Sequence, residues 1–477
     1  MLLNSPVYLF LFFPVIYILF RIVRAPGGQR ALLCAASLVF AAFSGWRDVL
    51  LLLLSAAVNY LLARLAVPGS AEQGSARHEK ASAPRLWLCA LGIALDLCLL
   101  CFYKYARFLL GWVPGLPELL PAAASLPLGI SFFTFLEISY LADIKREKIS
   151  PCRNFGDFLL YVSFFPRLAA GPLVRYGQHT AALTSPAPGA EETAAGLRRF
   201  VRGLAKKVLL ADVLGAAADA VFAADSLGSA AAWFGAVCYT LQLFYDFSGY
   251  SDMALGMGAV FGLPLPENFD HPYVSLSLTE FWRRWHITLG AWFRDYVYIP
   301  LGGNRRGKGR TAVNKLIVFA LTGLWHGAGW TFVLWGLWHG VLMMLESGLK
   351  ERIARWSQSA GGRLGLRAYT LLAVLLGFVL FRASSLGEAG RVLGAMFAFR
   401  GGWGAAALRR TLLTGVNLAA LAAGILFSAP VRSALDKRLP EGPAGEALRD
   451  AGSLVLLLLS ACVLAGGGFK PLIYAAF

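Results

Sequence analysis

Two histidines lie inside an apolar run that has no other ionisable side chain. The thirty residues between Lys315 and Glu346 contain no Asp, Glu, Lys or Arg, and His326 and His339 each occur in a Leu-Trp-His-Gly setting. A polar ring in a membrane-length segment is costly and by default indicates function. A neutral imidazole can take a proton from an acceptor hydroxyl as that hydroxyl attacks a thioester carbonyl, so the pair favours direct acyl transfer.

Other acyl-transfer and phosphate chemistries lack their signatures. The chain has no Gly-x-Ser-x-Gly motif, and no histidine has an Asp four or five residues downstream. Gly302–Lys308 resembles the start of a phosphate loop, but Gly309 stands where Ser or Thr is required. Cys98 and Cys101 have zinc spacing without a second Cys or His pair, so no metal site is predicted. The histidines remain the candidate catalytic groups.

A second polar block precedes the run, between Asn268 and Asn304, and it is dense in aromatic, arginine and histidine residues. Such residues anchor a membrane–water boundary, but arginines also bind phosphates by paired hydrogen bonds. The candidates from this block are His286, Trp282, Arg283, Arg284, Arg294 and Asp295. Asp246, Ser248 and Asp252, upstream, orient substrate hydroxyls or join helices together.

The elements that position these residues are transmembrane helices. The chain has 477 residues, of which 57% are hydrophobic and only 15% charged. Apolar runs of spanning or near-spanning length recur, without the alternation of a β-barrel, and predict about ten to twelve helical spans. The charge-free run would reach about 45 Å as one helix, so it must bend or break, most readily at the glycines between Thr322 and Trp330.

Charge distribution sets the predicted topology and localisation. The formal net charge is +17, with Lys and Arg collected in short loops, which is typical of cytoplasmic loops. Arg21 and Arg24 follow the first apolar segment, so we expect an uncleaved N-terminus outside and a multi-pass protein of the cytoplasmic (inner) membrane. The basic stripe in Gly196–Leu210 predicts an amphipathic helix at the cytoplasmic interface, with docking of an acidic carrier as the alternative.

We expect a single membrane domain over residues 1–477, since no polar segment is long enough for a soluble domain. It comprises N-terminal helices over 1–110, with a mobile loop at 67–84, a catalytic core over 125–345 and C-terminal helices over 365–477. No nucleic-acid partner is predicted.

Several ordered motifs resemble the membrane-bound O-acyltransferase family along nearly the whole chain. They are Pro127-Leu-Gly-Ile-Ser-Phe-Phe-Thr-Phe, Phe164-Phe-Pro-Arg-Leu-Ala-Ala-Gly-Pro172, Tyr245-Asp-Phe-Ser-Gly-Tyr-Ser-Asp252, Phe281-Trp-Arg-Arg-Trp-His286, Trp292-Phe-Arg-Asp-Tyr-Val-Tyr-Ile-Pro-Leu-Gly-Gly-Asn-Arg305 and Gly323-Leu-Trp-His326-Gly. The resemblance implies an all-α polytopic fold with short re-entrant helices that forms a funnel through the membrane. It also implies that His326 is the principal catalytic residue and that His286 lines the funnel.

The resemblance also indicates which residues bind the acyl donor and the acceptor, and which branch of the family the chain is similar to. The predicted substrate- or donor-binding set adds Trp325 and His339 to the residues named above. The Pro-Leu-Gly-Gly-Asn continuation is similar to the alginate O-acetyltransferase branch and is absent from the D-alanyl transferase branch. Departures occur at Leu136 and Arg167, where the family commonly has Gln, and at the final Tyr474-Ala-Ala-Phe477. They put in question whether the donor, acceptor and partner contacts are those of the alginate system.

The function expected from these observations is transfer of acetyl from a cytoplasmic thioester, acetyl-CoA or an acyl-carrier protein, across the membrane to an exported polysaccharide. No permanently bound cofactor is expected. An extracytoplasmic SGNH-type acetyltransferase and a cytoplasmic carrier protein are the expected partners beside the lipid bilayer. The alternatives are D-alanyl or other acyl transfer to a cell-wall polymer and, from a different class, a transporter or export scaffold.

Overall fold

The chain folds into helices. The computed structural model describes residues 1–68, 84–111, 113, 126–399, 402–467 and 470–473. Within these ranges the structure contains no strand beyond one isolated antiparallel bridge between Phe269 and Trp285. The prediction of an all-α protein is confirmed, whereas most of the loop predicted at 67–84 falls outside the described residues.

Two compact units divide the chain. Unit 1 comprises Met1–Leu197 and Ala254–Pro266, and unit 2 comprises Arg198–Met253 and Glu267–Ile473. The helices up to the first unit boundary are α1 Phe13–Ile22, α2 Pro26–Ala42, α3 Trp46–Ala66, α4 Trp87–Leu100, α5 Ala106–Leu110, α6 Ile130–Lys145, α7 Phe155–Ser163, α8 Phe165–Leu168, α9 Tyr176–Leu183 and α10 Ala190–Ala205, the last of which contributes residues to both units.

The remaining helices supply unit 2, apart from the C-terminal end of α12. They are α11 Asp212–Phe222, α12 Ser229–Val260, α13 Leu278–Arg284, α14 Ile287–Phe293, α15 Gly307–His326, α16 Trp330–Gly348, α17 Lys350–Trp356, α18 Ala360–Arg382, α19 Leu386–Phe397, α20 Ala406–Leu412, α21 Gly415–Ser428, α22 Val431–Asp436 and α23 Pro443–Ala465. Wider, π-helical turns occur at Tyr8–Phe12, Cys101–Tyr105, Lys206–Ala211 and Arg294–Tyr298.

Fewer helices than predicted are long and apolar enough to span a membrane unaided. In the described part of the chain, four meet that criterion by length and composition, and six do if each of two bent helix pairs is one span. The sequence predicted about ten to twelve. The difference arises because several apolar segments fold as shorter or broken helices, such as the 15-residue stretch Tyr8–Ile22.

Each unit has its own apolar core. In unit 1 the rings of Phe12, Phe40 and Phe165 pack together at centroid distances of 5.3 to 6.0 Å, and Phe261 adds an edge contact to Phe165 at 5.7 Å. In unit 2 helices α11, α12, α18 and α19 bury a cluster formed by Phe222, Ala232, Ala236, Leu375, Val379, Val392 and Met396. Edge and tilted ring contacts of this kind add to the burial of apolar area.

The charge-free run folds as a helical hairpin in unit 2. Helix α15 ends at His326 and α16 begins at Trp330, so the break occurs within the predicted glycine-rich stretch. A Cβ added at Gly323 would lie 2.3 Å from the Phe332 carbonyl oxygen, and one at Gly336 would lie 2.2 Å from the Phe319 carbonyl oxygen. Only glycine allows the two backbones to approach this closely.

We expect Gly336→Ala to destabilise the protein by about 1–3 kcal/mol, because the added methyl collides with backbone rather than with a movable side chain. Alanine otherwise favours a helix over glycine by about 1 kcal/mol. The matched control is Gly348→Ala on the same helix, where a Cβ meets nothing within 4 Å. Thermal unfolding in detergent should separate the two variants, and equal unfolding temperatures would contradict the close-packed hairpin.

Candidate functional site

His326 occupies the last position of α15, directly before the break in the hairpin. Its side chain is buried, with 2% of the residue exposed. Trp325, Trp335 and Phe381 surround its ring with centroid distances of 4.9, 5.1 and 5.1 Å, all in edge-to-face geometry. The break therefore places an imidazole at a helix end inside an aromatic enclosure within unit 2.

His286 lies at the junction between α13 and α14. It is 2% exposed, and its ring packs edge-on against Phe247 at 4.6 Å and against Trp325 at 6.0 Å. Trp325 therefore contacts both His286 and His326. The structure brings together these two predicted catalytic residues around one indole.

Asn268 determines which nitrogen of His286 carries the proton. The Asn268 side-chain oxygen accepts hydrogen bonds from the Thr288 backbone N–H at 3.2 Å and from the Thr288 hydroxyl at 2.9 Å. Because a backbone N–H can only donate, this atom is the acceptor, and the amide nitrogen donates to the Ser251 hydroxyl. His286 Nδ1, 3.2 Å from the same oxygen, must therefore donate to it. The neutral ring then has its lone pair on Nε2.

The backbone at His286 is in the left-handed region, with φ of +47°. For a residue with a side chain this conformation is uncommon and costs about 1–3 kcal/mol, and such outliers cluster at functional sites. Burial lowers the pKa of His286 below its ordinary value, so the ring stays neutral at physiological pH. A neutral ring of this tautomer can accept a hydrogen bond from a hydroxyl at Nε2.

His339 lies on α16, where its ring contacts that of Trp335. Its Nδ1 donates to the Trp335 carbonyl oxygen at 3.0 Å, and its ring packs edge-on against Trp282 at 5.1 Å. A Cβ added at Gly377 would lie 2.4 Å from His339 Cε1, so α18 presses directly on the ring. These contacts place His339 and Trp282 beside the His326 enclosure, since Trp335 touches both histidines.

The predicted acidic residues of α12 are engaged elsewhere. Asp246 bonds to Lys207 at 2.6 Å and accepts from the Ile473 backbone N–H at 2.8 Å. Asp252 pairs with Arg199 at 2.9 Å and Lys206 at 2.7 Å. Both carboxylates are therefore held in internal ion pairs rather than aimed at the histidines.

The basic stripe in Gly196–Leu210 supplies several of these ion pairs, and its location at the cytoplasmic interface stays a prediction. Lys207 is 1% exposed and lies between Asp246 and Asp212, and Arg198 pairs with Glu446 and Asp450 of α23. Helical periodicity alone could not distinguish a stripe facing lipid headgroups from one facing buried carboxylates. Ser248, two residues after Asp246, is buried, and its hydroxyl has no hydrogen-bond partner among the described residues.

The predicted arginines lie at the margin of the site. Arg284 pairs with Glu280 and with Asp270, and Arg294 donates to the neighbouring Asp295 at 2.9 Å. Arg283 is exposed, as is Arg294. No group of three or more metal-ligating side chains occurs in the portion of the chain that is described.

Two residues of the site were missed from the sequence. Asn268 marked the start of the polar block, and Glu346 marked only the end of the charge-free run. Glu346 accepts hydrogen bonds from the backbone N–H groups of Leu278 and Thr279 at the start of α13. Neither pairing follows from spacing, because each joins segments separated by 18 to 68 residues.

Comparison with known proteins identifies the family. The family described as MBOAT, membrane-bound O-acyltransferase, matches residues 147–363. A protein named probable alginate O-acetylase AlgI, from Pseudomonas aeruginosa, is 40% identical over 451 residues, which cover 90% of this chain and 81% of the relative. The peptidoglycan O-acetyltransferase of Helicobacter pylori is 36% identical over 438 residues, which cover 84% of this chain and 80% of the relative.

A more distant relative carries a different acyl group in its name. The teichoic acid D-alanyltransferase of Bacillus subtilis is 29% identical over 266 residues, which cover 53% of this chain and 65% of the relative. The chain belongs to the membrane-bound O-acyltransferase family. It is a multi-pass membrane enzyme that transfers acyl groups to oxygen, as the sequence predicted.

Proposed function

We propose that this enzyme transfers acetyl from a cytoplasmic thioester, acetyl-CoA or an acyl-carrier protein, to hydroxyls of an exported polysaccharide. The observation that carries the proposal is the pairing of His286 and His326 around Trp325. Relatives named for O-acetylation of alginate and of peptidoglycan, each covering most of the chain, support acetyl as the acyl group and a polysaccharide as the acceptor.

In the proposed mechanism His326 is the general base. Its imidazole removes the proton from the attacking hydroxyl while that oxygen forms a bond to the thioester carbonyl carbon, and the carbon–sulfur bond then breaks to release the thiol. The aromatic wall of Trp325, Trp335 and Phe381 excludes water, which suppresses hydrolysis of the thioester. His286, with its lone pair on Nε2, accepts a hydrogen bond from the acceptor hydroxyl and so orients it.

The enzyme acts in the cytoplasmic membrane with its N-terminus outside. The exposed arginines Arg283 and Arg294 meet phosphates of the donor. Final transfer to the glycan uses either the free polymer or an extracytoplasmic SGNH-type partner.

The experiment that tests this proposal identifies the ester on the exported polymer. Cells that express the enzyme and cells that lack its gene are grown alike, and mild base releases the esters for mass spectrometry. We expect acetate to fall in the cells that lack the gene, with D-alanine unchanged. Loss of D-alanine instead would select the other branch of the family, and loss of neither would overturn the proposal.

A further inference from the structure

We propose that Glu346 is a positioning residue of the acyl-transfer site, which it supports by holding the first turn of α13. The inference rests on the proposed function and extends it to a residue outside the histidine motifs. Glu346 lies on α16 and is 5% exposed. It is the first charged residue after the run that contains His326 and His339.

The Glu346 carboxylate makes three hydrogen bonds to the start of α13. One oxygen accepts from the Leu278 N–H at 2.6 Å, and the other accepts from the Thr279 N–H at 2.9 Å and from the Thr279 hydroxyl at 2.8 Å. Hydrogen bonds to a charged group contribute about 1.5–3 kcal/mol each, more than neutral ones. The carboxylate therefore joins α16 to α13 strongly at one point.

Helix α13 depends on such bonds because it has only seven residues. Isolated helices of this length are unstable in water, and the first N–H groups of any helix have no partner inside it. Ser277 accepts from the Glu280 N–H at 3.0 Å, which leaves the N–H groups of Leu278 and Thr279 to Glu346. Negative charge at a helix N-terminus is also favourable electrostatically.

Position along α13 sets the position of the catalytic groups. Trp282 follows Leu278 by one helical turn and packs against His339, which precedes Glu346 by two turns on α16. Helix α13 is thus attached to α16 at two points, by the carboxylate and by the indole. His286 follows the end of α13 by two residues, so a shift of the helix moves His286 relative to Trp325 and His326.

Side chains of two further helices, α18 and α15, interact with the Glu346 carboxylate. The Tyr369 side chain of α18 also hydrogen-bonds to it, and Lys315 of α15 interacts with it electrostatically. Lys315 donates a hydrogen bond to Ser347, the neighbour of Glu346 in α16. Helices α13, α15, α16 and α18 converge on this one carboxylate.

The test measures kcat and KM for acyl transfer in purified wild type, E346Q, E346D and H326A, with E351Q as the control. Glu351 lies five residues further on and is exposed. In E346Q an amide NH2 replaces one acceptor oxygen and faces a donor. A misplacement of about 1 Å costs about 10²-fold in rate, so we expect kcat to fall by that order. E346D keeps both oxygens and should recover part of the loss.

A merely structural role would lower the unfolding temperature while leaving kcat per folded molecule at the wild-type value, and that result would overturn the inference. If E346Q does not fold, T279V, which removes only the hydroxyl bond, is measured instead. Reduced kcat at unchanged unfolding temperature supports the inference, and unchanged kcat overturns it. A wild type without acyl transfer, or an H326A variant of wild-type activity, overturns the proposed function and this inference with it.

Discussion

Replacing His326 with alanine should lower the rate of acyl transfer by about 10²–10⁴-fold, the usual contribution of a general base. The imidazole is buried among three aromatic rings, so no solvent group replaces it when it is removed. The measurement is the initial rate of acyl transfer from a thioester donor by purified protein, normalised to folded enzyme.

His271 supplies the matched control for this variant. It is partly exposed and pairs with its neighbour Asp270 rather than with the aromatic enclosure. Its φ of +45° is best tolerated by Asn among residues with side chains, so H271N is the variant of choice. We expect H271N to retain activity. Equal rates for H326A and wild type would exclude His326 as the base.

Replacing Asn268 with alanine should produce the second large effect. The change removes the acceptor shared by the Thr288 N–H, the Thr288 hydroxyl and His286 Nδ1. His286 is then free to change tautomer and to turn in its pocket, and we expect about a 10²-fold loss of rate. Asn417 of α21, whose side-chain amide donates to the backbone carbonyls of Thr411 and Leu412, provides the control N417A.

The Asn268→Asp variant distinguishes the effect of the His286 tautomer from the effect of the His286 charge. The carboxylate keeps an acceptor for Thr288 and His286 but stabilises the imidazolium, so the pKa of His286 rises from its lowered value. The neutral ring is the active form. As the pH is lowered, the N268D variant should therefore lose activity at a higher pH than the wild type does. A pH–rate profile measures this shift. An unchanged profile together with an active N268A would show that His286 does not take part.

The helix break beside His326 could be predicted from the local sequence, because backbone freedom and segment length determine it. The glycines between Thr322 and Trp330 and the excess length of the apolar run together predicted the break beside His326, and the hairpin has it there. The convergence of the two histidine motifs followed from the family resemblance, which the comparisons confirm.

The remainder depends on tertiary contacts that periodicity does not encode. The basic stripe before Leu210 is equally compatible with lipid headgroups and with buried carboxylates, and the structure pairs it with Asp246 and Asp252. Apolar composition could not show which segments fold as short or broken helices. Likewise, Asn268 and Glu346 act through partners distant in the chain, so only the folded structure identifies them.

We propose that acetyl reaches the exported glycan through the His326 site. The most direct measurement is the ester-linked acetate on that glycan in cells producing equal amounts of wild-type or H326A protein. We expect acetate in the H326A cells to fall to the level of cells that lack the gene, and acetate in cells that produce H271N to match the wild-type level. Near-normal acetylation in the H326A cells, with the protein present in the membrane, would contradict it.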